Sequence, residues 1–166
     1  GPFMSVRGYL SEHATAALLT LELAHKEAEH LRYSHSTLFA HELNLIWVDN
    51  LKVNPALAEK VEAFVSRFGR LQDHLGDKLI PRYAQLVGEQ HKTQIDILSF
   101  AERAGILTSA DEFLAARKLR NALVHEYMQD SQSFLDSLML AKTAAQMLFD
   151  VIDKTKAELQ RLGIQA

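Results

Sequence analysis

The chain has 166 residues, of which 48% are hydrophobic and 23% are charged, and its formal net charge at pH 7 is -3. This is the composition of one globular domain with its own core, not of a disordered segment. The sequence has no cysteine, which excludes a disulfide framework, a thiolate metal site and a cysteine nucleophile. With only 7 glycines and 3 prolines, an all-β fold with many tight turns is not expected.

The first residues carry no recognisable targeting signal. Gly1-Pro2-Phe3 is interpreted as a vector-derived remnant before Met4, which leaves residues 4–166 as a single domain. The first apolar stretch, residues 14–23, is too short to span a bilayer. We therefore expect a cytoplasmic protein without a membrane anchor.

Apolar residues recur three and four positions apart along most of the chain, which predicts helices. The first helix is predicted from Val6 to Tyr33, and another apolar segment follows at residues 38–48. Asn54 and Pro55 then form a typical helix start, with an asparagine N-cap and a proline at the first helical position.

The helix that begins there is expected to run past Leu79, until Pro81 ends or kinks it and Gly88 closes the segment after the proline. A short helix is predicted at residues 93–103, stopped by Gly105.

A capping box formed by Ser109 and Glu112 opens the next helix, from Ala110 to about Tyr127. Asp130 marks the turn before a long last helix. Five or six helices joined by short loops predict an all-α fold, an antiparallel helical bundle.

Two glycines, Gly69 and Gly76, lie seven residues apart and therefore on nearly the same face of the long third helix. Each costs roughly 1 kcal/mol relative to alanine in a helix interior. Close approach of another helix, from the same chain or from a second subunit, would compensate for that cost. A tolerated weak point near the kink is the alternative.

The eight histidines do not form a metal-binding pattern. Glu22-x-x-His25 and Glu27-x-x-His30 match the carboxylate–histidine unit of di-metal bundles, but both lie on one helix and point apart. The sequence also lacks a glycine-flanked nucleophilic serine and a glycine-rich phosphate loop. No metal site and no cofactor is predicted.

The most informative segment is Arg120-Asn121-Ala122-Leu123-Val124-His125-Glu126-Tyr127, near the end of the capped helix. Arg120 and Tyr127 are seven apart, Asn121 and His125 are four apart, and Arg117 is three residues before Arg120. This spacing predicts a shared polar sector able to contact a phosphate and a ribose. A solvated polar face is the alternative.

Further basic residues precede this segment in the third helix. Arg67 and Arg70, together with Arg82, are candidates for an RNA-binding patch. They are equally suited to ion pairs with Glu62, Asp73 and Asp77 of their own helix.

The pattern Arg-Asn, three residues, His, one residue, Tyr resembles the signature of HEPN domains, and in particular of the HepT toxins of HepT–MNT toxin–antitoxin pairs. The segment Arg67-Phe68-Gly69-Arg70-Leu71-Gln72-Asp73 also resembles a part of that family. The resemblance implies a homodimeric helical bundle that brings two copies of the motif together.

The resemblance also implies an activity, that of a metal-independent endoribonuclease in a type II/VII-like toxin–antitoxin system. Its substrate would be RNA, such as tRNA or mRNA, cleaved by attack of the 2′-hydroxyl. Arg120, Asn121 and His125 would be the catalytic residues, since imidazole exchanges protons near neutral pH and the guanidinium binds phosphate oxygens. The partner, an MNT nucleotidyltransferase antitoxin, would silence the toxin by transferring AMP to Tyr127.

Two other functions remain open from the residues alone. The chain can be a non-catalytic subunit that binds nucleotide or substrate for a nucleotidyltransferase. It can also be a structural dimerisation module, in which changes at Arg120, His125 and Tyr127 would be silent.

Overall fold

The computed structural model of the chain describes residues 8–165, and these residues contain helices and turns but no strand. The all-helical prediction is confirmed. The vector-derived remnant predicted at residues 1–3 lies outside the described residues. The helices are α1 (Ala14–Leu38), α2 (Leu45–Asp49), α3 (Pro55–His74), α4 (Ile80–Leu86), α5 (Gln94–Arg103), α6 (Ala110–Glu126) and α7 (Ser131–Arg161).

Most helix ends follow local signals in the sequence. The side chains of Asn54 and Ser109 each accept a hydrogen bond from the backbone N–H three residues on, at 3.1 and 3.2 Å. Asp130 caps α7 in the same way, at 3.1 Å. Gly105 ends α5 with a φ of 80°, a conformation that glycine adopts without strain. The predicted starts of α3, α6 and α7 are therefore confirmed.

The first helix begins and ends later than its periodicity predicts. It starts after a 3₁₀ turn at Ser11–His13 and continues to Leu38 instead of stopping at Tyr33. The segment before α1 is bonded to the end of α4, because the Leu10 backbone N–H donates to the carbonyl of Leu86 at 2.7 Å. The apolar segment predicted at 38–48 is a bend followed by the short helix α2.

Pro81 does not end the long third helix. The chain passes from α3 into α4 through a π-helical turn, Leu75–Leu79. The wider turn changes the hydrogen-bonding register just before the proline, which has no N–H to donate. From the start of α5, Gln94 Nε2 donates to the carbonyl of Gly76 within this turn at 3.0 Å.

The helices enclose one core, in which α3 and α7 each pack against both α1 and α6. Its largest fully buried side chains include Phe64, Phe68, Phe113 and Phe134. None of the helices in the described part of the chain is long and apolar enough to cross a membrane. The packing of α3 against α6 sets the geometry of the candidate site.

Candidate functional site

An open groove of about 540 Å³, here called the α3–α6 groove, lies where α3 faces the C-terminal half of α6. Residues of both helices and the residue after α6 line it: Glu62, Val65, Ser66, Gly69, Arg70, Asp73, Arg120, Leu123, Val124 and Tyr127. Its volume falls within the range of about 300–1,000 Å³ that small-molecule sites occupy. Arg120 and Tyr127, two of the motif residues, therefore share one concave surface.

Arg120 crosses directly over Gly69. A Cβ atom added to that glycine would lie 2.8 Å from Arg120 Nε and 3.0 Å from its Cγ, so only glycine leaves room for the side chain. Beyond the crossing, Arg120 Nη2 lies 2.9 Å from Asp73 Oδ2, and Nη1 donates to Asn121 Oδ1 at 3.4 Å. The guanidinium is thus held at the groove with part of its surface exposed.

A second arginine crosses α3 one turn of α6 earlier. Arg117 Nη2 lies 2.7 Å from Asp77 Oδ1, and a Cβ on Gly76 would lie 3.3 Å from Arg117 Nη2 and 3.0 Å from Phe113 Cε1. The prediction that both glycines mark the close approach of another helix is confirmed, and that helix is α6 of the same chain. Arg117 does not line the groove.

Tyr127 is the first residue after α6 and lies at one end of the groove, where its ring packs against Phe134 with the ring centroids 5.3 Å apart. Its hydroxyl oxygen is buried and makes no hydrogen bond of acceptable geometry. Burial raises the pKa of this hydroxyl, and the nearby Glu62 carboxylate raises it further. The next residue, Met128, has a φ of 63°. This left-handed backbone conformation is unfavourable for residues other than glycine.

His125 and Asn121 lie away from the groove, on the exposed side of α6. The helix turns about 100° per residue, so Asn121 is about 100° and His125 about 140° from Arg120. The shared polar sector predicted from spacing is therefore divided between two surfaces. Within one chain, the groove contains the guanidinium but not the imidazole.

Two of the three arginines considered for an RNA-binding patch donate hydrogen bonds to α1. Arg67 Nη1 donates to Ser34 Oγ at 2.6 Å, and Arg82 Nη1 donates to Thr20 Oγ1. Neither lines the α3–α6 groove, whereas the exposed Arg70 does. None of the three forms an ion pair with Glu62, Asp73 or Asp77.

The sequence interpretation missed how the carboxylates of α3 are used. Asp73 and Asp77 pair with arginines of α6, not with arginines of their own helix. Glu62 lies beside Tyr127. The spacing of these residues in the sequence already indicated this arrangement. Steps of three, four and seven residues place the carboxylates of Glu62, Asp73 and Asp77 close to Gly69 and Gly76 on one face of the helix.

Among the described residues, no group of three or more histidine, aspartate or glutamate side chains is arranged to hold a metal ion. Comparison with known proteins gives no assignment, since no family model, curated protein or solved structure matches the chain. The residues of the site are therefore the basis for a functional proposal.

Proposed function

We propose that the protein is a metal-independent endoribonuclease of the HEPN type, which acts as a homodimer and is the toxin of a HepT–MNT-like pair. The observation that carries the proposal is the arrangement of Arg120, which lies across Gly69 and is held by Asp73 at the edge of an open groove. A fixed, half-exposed guanidinium offers two parallel N–H donors to the oxygens of a phosphodiester.

The chemistry gives separate roles to the His125 imidazoles of the two copies and to Arg120. The 2′-hydroxyl attacks the adjacent phosphorus and the bond to the 5′-oxygen breaks, leaving a 2′,3′-cyclic phosphate. One imidazole removes the proton of the nucleophile and another gives a proton to the leaving oxygen. Arg120 stabilises the negative charge that develops on the phosphoryl oxygens.

A second copy would supply the second imidazole that the acid–base pair needs. His125 is exposed, one turn of helix after Ala122. Ala122 is part of an apolar depression of about 480 Å³ between α6 and α7, which Leu119, Leu140 and Met147 also line. Leu140 is 63% exposed. A two-fold contact on this surface would bring two His125 side chains close together.

The test is RNA cleavage by matched variants. We expect His125→Ala and Arg120→Ala to lose cleavage and keep the fold, because both residues are at least partly exposed. His41→Ala and Arg103→Ala remove an exposed histidine and an exposed arginine elsewhere and should retain full activity. A chelator should leave cleavage by the wild type unchanged. Undiminished cleavage by both motif variants would overturn the proposal.

Transfer of AMP to Tyr127 is the proposed means of silencing. An adenylyl group on this hydroxyl would carry a negative charge into the groove beside Arg70 and Arg120, where it would compete with RNA phosphate. Since the hydroxyl oxygen is buried, the last turn of α6 must open for the transfer. Intact mass after co-expression with the nucleotidyltransferase should show one added AMP in the wild type and in Tyr33→Phe, but none in Tyr127→Phe.

A specific observation favours a second candidate, a nucleotide-binding subunit without nuclease activity. The groove contains Arg70, Arg120 and Tyr127 but not His125, a set that would suit a nucleotide's phosphate and base but lacks a group to transfer protons for RNA cleavage. Binding of nucleotide that Arg120→Ala abolishes and His125→Ala leaves unchanged, together with no cleavage by the wild type, would favour this alternative.

A further inference from the structure

A second cleft, here called the α1–α3 cleft, lies between α1 and α3 and has a volume of about 320 Å³. Three of its lining residues carry a permanent positive charge, and a fourth is a histidine. The full lining is Leu23, Lys26, Glu27, His30, Arg67 and Arg70.

The cations of this cleft outnumber its carboxyl groups by three to one. Lys26 and Arg70 are exposed, and neither forms an ion pair with any residue between 8 and 165. Arg67 is held in place by its hydrogen bonds to Ser34 Oγ and to the carbonyl of His30, at 2.6 and 3.3 Å, and these partners carry no negative charge. The positive charge of the cleft is therefore available to a ligand.

Glu27 supplies the one carboxyl group that lines the cleft, so it offsets only part of the charge of the three cations. Glu27 Oε2 is buried without a hydrogen-bond partner. Burial raises the pKa of this carboxyl, and His74 and Arg70 oppose the effect only in part. The α6 arginines differ in this respect, because Arg117 and Arg120 each have an aspartate partner.

Arg70 lines both the α1–α3 cleft and the α3–α6 groove, so the two surfaces are continuous at this side chain. Arg67 and Arg70 are three residues apart on α3, and Lys26 and His30 are four apart on α1, so each pair lies along one face of its helix. A chain with a net charge of -3 thus concentrates unpaired cations beside the groove.

We propose that the α1–α3 cleft binds the phosphodiester backbone of single-stranded RNA next to the link that lies in the groove. The inference rests on the proposed function and extends it, since it states where the substrate runs beyond the reacting phosphate. Cationic side chains that contact RNA phosphates release counterions, so the binding constant falls as the salt concentration rises. In a plot of the logarithm of the binding constant against the logarithm of the salt concentration, each phosphate contacted on a single strand contributes about -0.7 to the slope.

The test compares two variants with the same change of charge. Lys26→Glu reverses a cation in the cleft, and Lys92→Glu reverses an exposed lysine before α5. Fluorescence anisotropy with a labelled single-stranded RNA is measured over a range of salt concentrations. We expect only Lys26→Glu to weaken binding and to reduce the salt slope by roughly 0.7, the value for one lost contact.

Cleavage provides a separate readout. For an RNA long enough to cross both surfaces, Lys26→Glu should raise KM and leave kcat unchanged, whereas cleavage of a dinucleotide, which is too short to reach the cleft, should not change. If the wild type binds RNA without cleaving it, the nuclease proposal fails and the salt slopes still decide on the cleft. Equal affinities and equal slopes for the two variants, or no RNA binding by the wild type, would overturn the cleft proposal.

Discussion

Replacing Gly69 with alanine should separate the placement of Arg120 from the stability of the fold. The new Cβ would lie 2.8 Å from Arg120 Nε, closer than a Cβ tolerates, and 3.0 Å from Cγ, which is a tight contact. These atoms belong to a flexible side chain, so the expected response is that Arg120 swings away from α3 and leaves Asp73. The helices themselves need not move.

Two opposing effects determine the change in the free energy of unfolding. Alanine in place of glycine in a helix interior is favourable by roughly 1 kcal/mol. The Arg120–Asp73 ion pair that is lost has both side chains 37% exposed, and solvent-screened pairs of this kind contribute about 0–1 kcal/mol. We therefore expect the free energy of unfolding of Gly69→Ala to lie within about 1 kcal/mol of the wild-type value. RNA cleavage by this variant should fall to the level of Arg120→Ala.

Gly76→Ala is the matched control. Its Cβ would lie 3.0 Å from Cε1 and 3.3 Å from Cζ of Phe113, a ring that is 1% exposed and has no free space to move into. Overpacking of this kind costs about 1–3 kcal/mol, and the roughly 1 kcal/mol gained by replacing glycine with alanine leaves a net loss of up to about 2 kcal/mol. This variant should lose stability and leave Arg120 in place.

Urea denaturation and the NMR signal of Arg120 Nε–Hε distinguish the two variants. We expect the signal to shift in Gly69→Ala and to stay unchanged in Gly76→Ala. A loss of more than about 2 kcal/mol in Gly69→Ala with an unchanged Arg120 signal would be incompatible with this explanation, because a flexible side chain that yields cannot cost that much.

Three further predictions concern buried polar groups. Tyr127→Phe should retain or raise the free energy of unfolding measured in urea, by up to about 1 kcal/mol, because it removes a buried hydroxyl that makes no hydrogen bond of acceptable geometry; a loss of stability would indicate instead that this hydroxyl donates to the adjacent Glu62 carboxylate. Gln72→Met should stabilise by about 1 kcal/mol or more in the same assay, since both polar atoms of this fully buried amide lack partners, and an equal loss would reveal an unrecognised partner. Burial and the Glu158 carboxylate raise the pKa of Tyr83 to about 12 from 10.0. The folded state then keeps a proton that the unfolded state releases, so stability should fall as the pH rises from 10 to about 12. Pairwise comparison with Tyr83→Phe over that pH range isolates this loss, which the variant should lack.

The helix boundaries were predictable wherever a local hydrogen bond sets them. Asn54, Ser109 and Asp130 act within three residues of their own position, and Gly105 ends α5 by its own backbone conformation. The start of α1 was not predictable, because the segment before it is bonded to the distant Leu86 through the backbone N–H of Leu10. Local sequence carries no signal for such a contact.

The passage through Pro81 shows the same limit. A proline in a helical pattern indicates a break or a kink, and sequence alone does not distinguish these from a π turn. The turn is stabilised by a hydrogen bond from Gln94 to Gly76, which belong to different helical segments. Only the assembled fold brings the two residues together.

At the candidate site, the sequence predicted that the glycines meet another helix but not which side chains cross them. Arg120 lies over Gly69 because α6 packs at one particular height along α3, and no periodicity specifies that height. Asp73 therefore pairs with an arginine of α6 and not with one of its own helix, and Arg67 donates a hydrogen bond to Ser34 of α1. Ion pairs between helices depend on tertiary packing, whereas caps depend on the nearest residues.

The chemistry of the RNA ends shows most directly whether Arg120 and His125 break a ribose–phosphate link. Purified wild-type protein, Arg120→Ala and His125→Ala are incubated with total RNA and with tRNA, and the ends of the fragments are analysed. We expect fragments with 2′,3′-cyclic phosphate ends from the wild type alone. Intact RNA in the wild-type reaction, or the same fragments from both variants, would show that these two residues do not carry the cleavage.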